Sequence, residues 1–304
     1  MNWTTDKYNV ELPEIYQLEL SSFCTLECPA CLRFDPRVRR PQGDMDIKLI
    51  EKMLQRGDFK GSYFVELQMY GEPTINPRFN DIVDMLHGHG FKTGMSTNGT
   101  LLSSMDNSGM TAGLEPVDVS QLDYLTISID SPYKETYEKL RPGSSFDALI
   151  DVIDKVYCLP GPMIDLQVIK FGGKSELPGL IALAESNNWD VVCREVPDCG
   201  VMYRGEPCPI PGGQDQLCLN PWMSVSVQWD GDCTPCCFSA GKHIVYGNLW
   251  DQSLAEIWQT SEVRKKLMYD MKTSLNMEGM PCKFCYMRSP VMFHQRMLME
   301  RMKR

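Results

Sequence analysis

Short apolar runs alternate with helix-like stretches along the first two-thirds of the chain. Strand-like runs fall at 15–20, 63–69, 92–96, 124–129, 164–170 and 189–195. Helical patterns lie between them, at 47–55, 79–86, 146–157 and 178–186. In the third of these, Phe146, Leu149, Ile150 and Ile153 recur at the spacing of one helix face. Ser144 and Asp147, three residues apart, read as its capping pair. Six strand-then-helix units predict an α/β protein with a parallel sheet and helices outside it. The pattern leaves two shapes open, a curved incomplete barrel and a flat doubly wound sheet. In both, ligands gather at the carboxyl ends of the strands.

The texture changes near residue 200. Residues 200–216 are rich in glycine and proline and read as a linker. Beyond it, 224–229 alternates like a strand, and Asp230-Gly231-Asp232 is a hairpin-turn signal. Ser253 and Glu256 read as a capping box ahead of one helix carrying Ile257, Trp258, Val263 and Leu267. The expected division is a tail (1–13), an α/β domain (14–200), a small second domain (201–288) and a C-terminal tail or helix (289–304). That last stretch carries Met292, Met297, Met299 and Met302; it reads as a packing helix, or as a methionine face toward a substrate.

The chain has 304 residues and 43% apolar content, enough for a large core. No run approaches ~20 uninterrupted apolar residues, and the N-terminus has no basic-then-apolar signal pattern. The expected location is cytoplasmic. A net charge of -10 argues against a general nucleic-acid binder. Thirteen cysteines, an odd count, do not read as a disulfide framework in that compartment; they read as metal ligands or catalytic thiols.

Two cysteine sets stand out. Cys24, Cys28 and Cys31 are spaced Cys-x3-Cys-x2-Cys directly after the first strand. Three thiolates can bind three irons of a [4Fe–4S] cluster and leave the fourth iron for a small molecule. Zinc is the competing ligand, but a structural zinc site wants four donors and no fourth lies near. The second set is Cys218, Cys236, Cys282 and Cys285. Four thiolates there would complete a cluster's ligation or hold structural zinc.

Residues 21–31, Ser-Ser-Phe-Cys-Thr-Leu-Glu-Cys-Pro-Ala-Cys, resemble the cluster loop of the radical S-adenosylmethionine (SAM) superfamily. The second set, with Gly231 five residues before Cys236, resembles the C-terminal SPASM extension of such enzymes. With no cysteine after Cys285, it is similar to the shorter twitch form. Asn220-Pro221-Trp222, Gly247-Asn248-Leu249 and Glu256-Ile257-Trp258 add to the likeness, which runs from about residue 15 to 288. The resemblance implies a partial (β/α)6 barrel followed by a small β-hairpin/helix, twitch-like domain. It implies two [4Fe–4S] clusters, one binding S-adenosyl-L-methionine and one auxiliary. It implies that the turn Tyr70-Gly71-Glu72-Pro73 meets the methionine ammonium through a backbone carbonyl and the carboxylate. Asn98, in Thr97-Asn98-Gly99, would line the same mouth. Ser128 and Asp130, two apart on a strand, would point together at the ribose. Arg141 would meet the methionine carboxylate. One departure stands at Ala30, where relatives often carry an aromatic residue against adenine.

The implied activity is reductive cleavage of S-adenosylmethionine to a 5′-deoxyadenosyl radical, then hydrogen abstraction from a substrate and electron transfer to the auxiliary cluster. The favoured substrate is a small molecule such as a sugar, cyclitol or nucleoside, oxidised or rearranged. The alternatives are a maturase that crosslinks or epimerises a ribosomally made peptide, and a non-catalytic metal-binding or redox-sensing protein. Only about 14 residues precede the first strand, which leaves no room for a leader-binding module and tilts the expectation toward the small molecule. The expected electron donor is a flavodoxin- or ferredoxin-type reductant, and no membrane partner is expected. Among the remaining cysteines, Cys193, Cys199, Cys208 and Cys237 are candidate hydrogen-atom donors. No residue is assigned as general base.

Overall fold

The computed structural model describes residues 9–29, 31–34, 40–102, 117–170, 175–197, 218–239, 244–273, 282 and 285. Ala30, Cys199, Cys208, the linker and the methionine-bearing tail lie outside them. The six expected strands are present as β1 (Glu14–Leu18), β2 (Phe64–Glu66), β3 (Lys92–Thr97), β4 (Tyr124–Ser128), β5 (Met163–Lys170) and β6 (Val192–Pro197). The expected helices are α1 (Ile47–Arg56), α2 (Phe79–Gly88), α4 (Phe146–Tyr157) and α5 (Leu177–Ser186). A further helix, α3 (Lys134–Leu140), follows β4. Its sequence, KETYEKL, is short and mostly charged, with Tyr137 its buried residue, so it has little apolar periodicity to read.

β1 to β6 lie in the order 6-5-4-3-2-1, each parallel to the next. This order separates the two shapes left open by the sequence. A doubly wound sheet reverses its direction of growth and places helices on both faces. Here growth never reverses, so right-handed crossovers place every helix on one face. The sheet then curls into a partial barrel with that face outward. Val65, Met95, Leu125, Ile127, Leu166 and Val168 form the outer face, packed with Leu49, Ile50 and Met53 of α1 and Leu149, Val152, Ile153 and Val156 of α4. Each such side chain contributes about 1.5–3 kcal/mol when fully buried. The cap of α4 differs from expectation. Ser145 is the N-cap, accepting from the Ala148 amide, while Ser144 donates to the Arg141 carbonyl.

The second domain extends the same sheet. β7 (Ser224–Val227) pairs parallel to β1, and β8 (Asp232–Thr234) and β9 (Gly247–Asn248) follow antiparallel. Gly231, at φ +89°, makes the β7–β8 turn. A helical turn, α6 (Asn220–Met223), precedes β7. The single helix expected after Ser253 is two, α7 (Leu254–Thr260) and α8 (Glu262–Thr273), parted at Ser261. Ser261 stops α7 as its C-cap, and its hydroxyl then accepts from the Arg264 amide in the first turn of α8. The capping box at Ser253 and Glu256 is formed as read. Across the domains, the Trp258 indole donates to the Val10 carbonyl (2.8 Å), Arg56 to the Leu249 carbonyl (2.9 Å), and the Leu254 amide to Asp58 (2.9 Å). Among the described residues, no helix is long and apolar enough to cross a membrane.

Candidate cluster and cofactor site

The three-cysteine loop leaves β1 and crosses the carboxyl ends of β2 and β3. Its entry is bound to the turn after β2, where the Glu72 amide donates to the Phe23 carbonyl at 2.7 Å. Gly71 lies so close that a Cβ would stand 2.0 Å from the Ser21 carbonyl oxygen and 2.5 Å from that of Phe23. Only glycine fits there. The Glu72 carboxylate is buried and accepts four hydrogen bonds, from the Thr74 amide (3.4 Å) and hydroxyl (2.7 Å), the Thr97 hydroxyl (2.7 Å) and the Asn98 amide (2.8 Å). Burial pushes its pKa up, and the donors, led by the Asn98 amide, pull against that. This carboxylate therefore spends its acceptors on the protein, tying β2 to β3, and the turn's backbone carbonyls are the acceptors left for an ammonium.

Asn98 carries the link onward. Its side-chain amide donates to Cys24 Sγ (3.4 Å) and Thr25 (3.2 Å). On the far side, β4 ends at Ser128, and Asp130 sits beyond it at φ +54°, in the left-handed region. Strand alternation therefore does not aim Asp130 alongside Ser128, as the sequence reading supposed. An ion pair aims it instead, with Arg141 Nε donating to Asp130 Oδ2 at 2.7 Å. Both partners are buried, and Asp130 Oδ1 has no hydrogen-bond partner among the described residues. Burial opposes the Arg141 charge, but Asp130 and the nearby Cys28 outweigh it and hold the guanidinium above its ordinary value. Burial likewise pushes the Cys28 thiol up to about 11, with Arg141 opposing and Cys31 and Cys24 adding to the rise. Cys28 thus lies in the field of Cys31, Cys24 and Arg141, and Cys31 in that of Arg33, Cys24 and Arg141. Tyr70 completes the turn, its amide donating to Glu19 (3.3 Å), while Glu19 also pairs with Arg40.

The second cysteine set also converges. Cys236, which burial pushes up to about 12, feels Cys218 as its strongest charged neighbour. Tyr246 is buried, and the groups acting on its phenol after burial itself are Cys236, Arg264, Cys218 and Cys282. Cys285 is buried, its amide donating to the Cys282 carbonyl. Arg264 beside them is buried, stacked 3.3 Å over the Trp258 ring. It donates to three neutral oxygens, those of Pro221, Trp258 and Asn9. Burial lowers its pKa to about 10. A buried cation without a carboxylate among the described residues calls for an anion, and a thiolate-ligated cluster is one. Among the described residues no three His, Cys, Asp or Glu side chains are arranged to hold a single ion. A cluster does not need that convergence, since its thiolates bind different irons.

Sequence reasoning missed the concave face. Tyr124, Thr126 and Ser128 of β4, Asp165 of β5, Gln17 of β1, Glu66 of β2, Arg194 of β6 and Ser226 of β7 share it by register. Ser226 donates to Gln17 (3.0 Å), Gln17 to Glu66 (3.2 Å) and Arg194 to Thr126 (2.7 Å), while Tyr124 donates to Asp165. Closed barrels of this kind fill that space with branched apolar residues. A polar lining suits a cavity that admits a substrate. The signal was present as polar residues at alternate positions, in Tyr124-Leu125-Thr126-Ile127-Ser128.

The comparisons with known proteins agree with this geometry. The model of the radical SAM superfamily matches residues 18–157, and that of the SPASM iron–sulfur cluster-binding domain matches 218–286. The chain belongs to the radical SAM superfamily and carries a C-terminal SPASM domain, with S-adenosylmethionine and [4Fe–4S] clusters as the cofactors these domains imply. It is 42% identical over 91 residues, 28% of this chain, to the tungsten-containing aldehyde ferredoxin oxidoreductase cofactor-modifying protein of Pyrococcus furiosus. It is 24% identical over 147 residues, 48% of this chain, to the mycofactocin maturase MftC of Mycobacterium tuberculosis. The aligned segments span 24% and 35% of those relatives' own lengths. Streptococcus suis SuiB bound to its precursor peptide SuiA superposes with a TM-score of 0.62 at 14% identity, over 93% of this chain and 72% of SuiB.

Proposed function

We propose that this chain is a radical SAM maturase acting on a ribosomally made peptide. The observation that carries the cofactor chemistry is the junction of Cys24 with Asn98, Glu72 and the Phe23 carbonyl, which joins three strand ends around a three-thiol loop. When bound there, the cluster supplies the electron that splits S-adenosylmethionine and so starts hydrogen abstraction. Cys24, Cys28 and Cys31 would hold it. The turn at Tyr70, Gly71, Glu72 and Pro73 would present carbonyls to the methionine ammonium, with Glu72 keeping the turn in place. Arg141 would face the carboxylate. Asp130 Oδ1, a buried acceptor without a partner among the described residues, fits a ribose hydroxyl, and Ser128 would lie near it at the end of β4. Cys218, Cys236, Cys282 and Cys285 would hold the auxiliary cluster.

The sequence by itself favoured a small molecule. The relatives support the peptide instead, because two of those compared are named for maturation or carry a precursor peptide. The chain's start does not decide the matter, since it spans only part of those proteins.

The test is anaerobic reconstitution followed by dithionite and S-adenosylmethionine. Release of 5′-deoxyadenosine is expected, and its loss when Cys24, Cys28 and Cys31 are all changed to alanine. Peptides encoded beside the gene, made with deuterated amino acids, should pass deuterium into 5′-deoxyadenosine. Deuterium arriving from a sugar or cyclitol, and from no peptide, would overturn the peptide reading.

A further inference from the structure

The Tyr246 hydroxyl is a polar group with nowhere to go. It is buried, and it has no hydrogen-bond partner among the described residues. An unpaired buried hydroxyl costs roughly 1–3 kcal/mol, so a native core keeps one only where something meets it. Its backbone is held within the sheet. The Tyr246 amide donates to the Cys233 carbonyl (2.7 Å), and β9 begins at the next residue. The ionisable groups that act on the phenol are Cys236, Arg264, Cys218 and Cys282. Three of these are proposed cluster ligands, and the fourth is a buried guanidinium bonded, among the described residues, only to neutral oxygens.

We infer that Tyr246 donates its hydroxyl hydrogen bond to a sulfur of the auxiliary cluster and thereby raises that cluster's reduction potential. The inference rests on the auxiliary-cluster reading above. A hydrogen bond to a cluster sulfur stabilises the reduced, more negative state, and hydrogen bonds to sulfur are among the features that set such potentials. Arg264 acts in the same direction through its charge. Together they would make the auxiliary cluster a better acceptor for the electron a substrate radical must lose. Tyr246 is thus a positioning and tuning residue that touches neither substrate nor S-adenosylmethionine.

The test is a redox titration of the reconstituted full chain followed by electron paramagnetic resonance, wild type against Tyr246→Phe. The cluster that responds to added S-adenosylmethionine serves as internal reference. The phenylalanine keeps the ring, so iron content should not change. At a fixed potential the auxiliary cluster's reduced-to-oxidised ratio should fall about tenfold, which is about 59 mV for a one-electron couple. The reference cluster should not move. An unchanged auxiliary potential with full iron overturns the inference and leaves the cluster reading standing. Loss of auxiliary iron in Tyr246→Phe also overturns it, by making the hydroxyl structural. A wild type with iron for only one cluster overturns the reading beneath it. As a second measurement, electron–nuclear double resonance of the reduced wild type should show an exchangeable proton coupled to the auxiliary cluster. Absence of that proton defeats the inference whatever the variant does.

Discussion

At the scale of single residues, the site turns on how little freedom its turn has. Gly71→Ala puts a methyl carbon within 2.0 Å of the Ser21 carbonyl oxygen, a contact that only backbone movement relieves. Overpacking of this kind costs about 1–3 kcal/mol. The displaced segment is the one entering Cys24, so cluster iron should fall together with the denaturation midpoint. Glu72→Gln tests a different property. The new amide must turn its NH2 toward Thr74 and Thr97 or toward the Asn98 N–H, all of which already donate. One unsatisfied buried group costs about 1–3 kcal/mol. Stability should drop by that order, and KM for S-adenosylmethionine should rise more than kcat falls. The cysteines were legible in the sequence from their spacing, and the Gly-Glu-Pro turn from the family resemblance those cysteines carry. The ion pair of Asp130 with Arg141 was not, because a left-handed residue after a strand leaves no periodic trace.

At the scale of elements, strands and long helices followed their periodicity, and the errors fell at ends and joints. The reading of one helix after Ser253 failed because helix-forming residues run on past Ser261, while a hydroxyl cap breaks the backbone there. The capping box itself yields a pH prediction. Hydrogen bonds from the Ser253 amide and hydroxyl hold the Glu256 carboxyl below its ordinary 4.5. A depressed acid contributes stability above its unfolded pKa and loses it as pH falls through the folded value. The stability difference between wild type and Glu256→Gln should therefore be complete at pH 7 and vanish in strong acid. Urea denaturation across pH measures it. Removing the cap hydroxyl by Ser253→Ala should cost about 1 kcal/mol at neutral pH.

At the scale of the whole molecule, the two cysteine sets predict separable stores of iron. Two four-iron clusters amount to about eight irons per chain. Changing Cys282 and Cys285 together to alanine should reduce this to about four and leave 5′-deoxyadenosine release in place. An unchanged iron count would remove the auxiliary site. The overall architecture was readable only up to a choice between barrel and flat sheet, because strand order is a long-range property that no local pattern encodes. The joining of the second domain to the first was equally hidden, since Ser224–Val227 carries no mark of its partner.

That junction has its own consequence. β7 occupies the border of β1 along Glu14 to Leu18, at the strand from which the cysteine loop departs. A barrel half cut off before residue 218 would expose those amides and carbonyls as a sticky ribbon, open to pairing with another molecule. Expressed by itself, such a half should self-associate, and its oxygen-sensitive loop would sit at the seam of the aggregate.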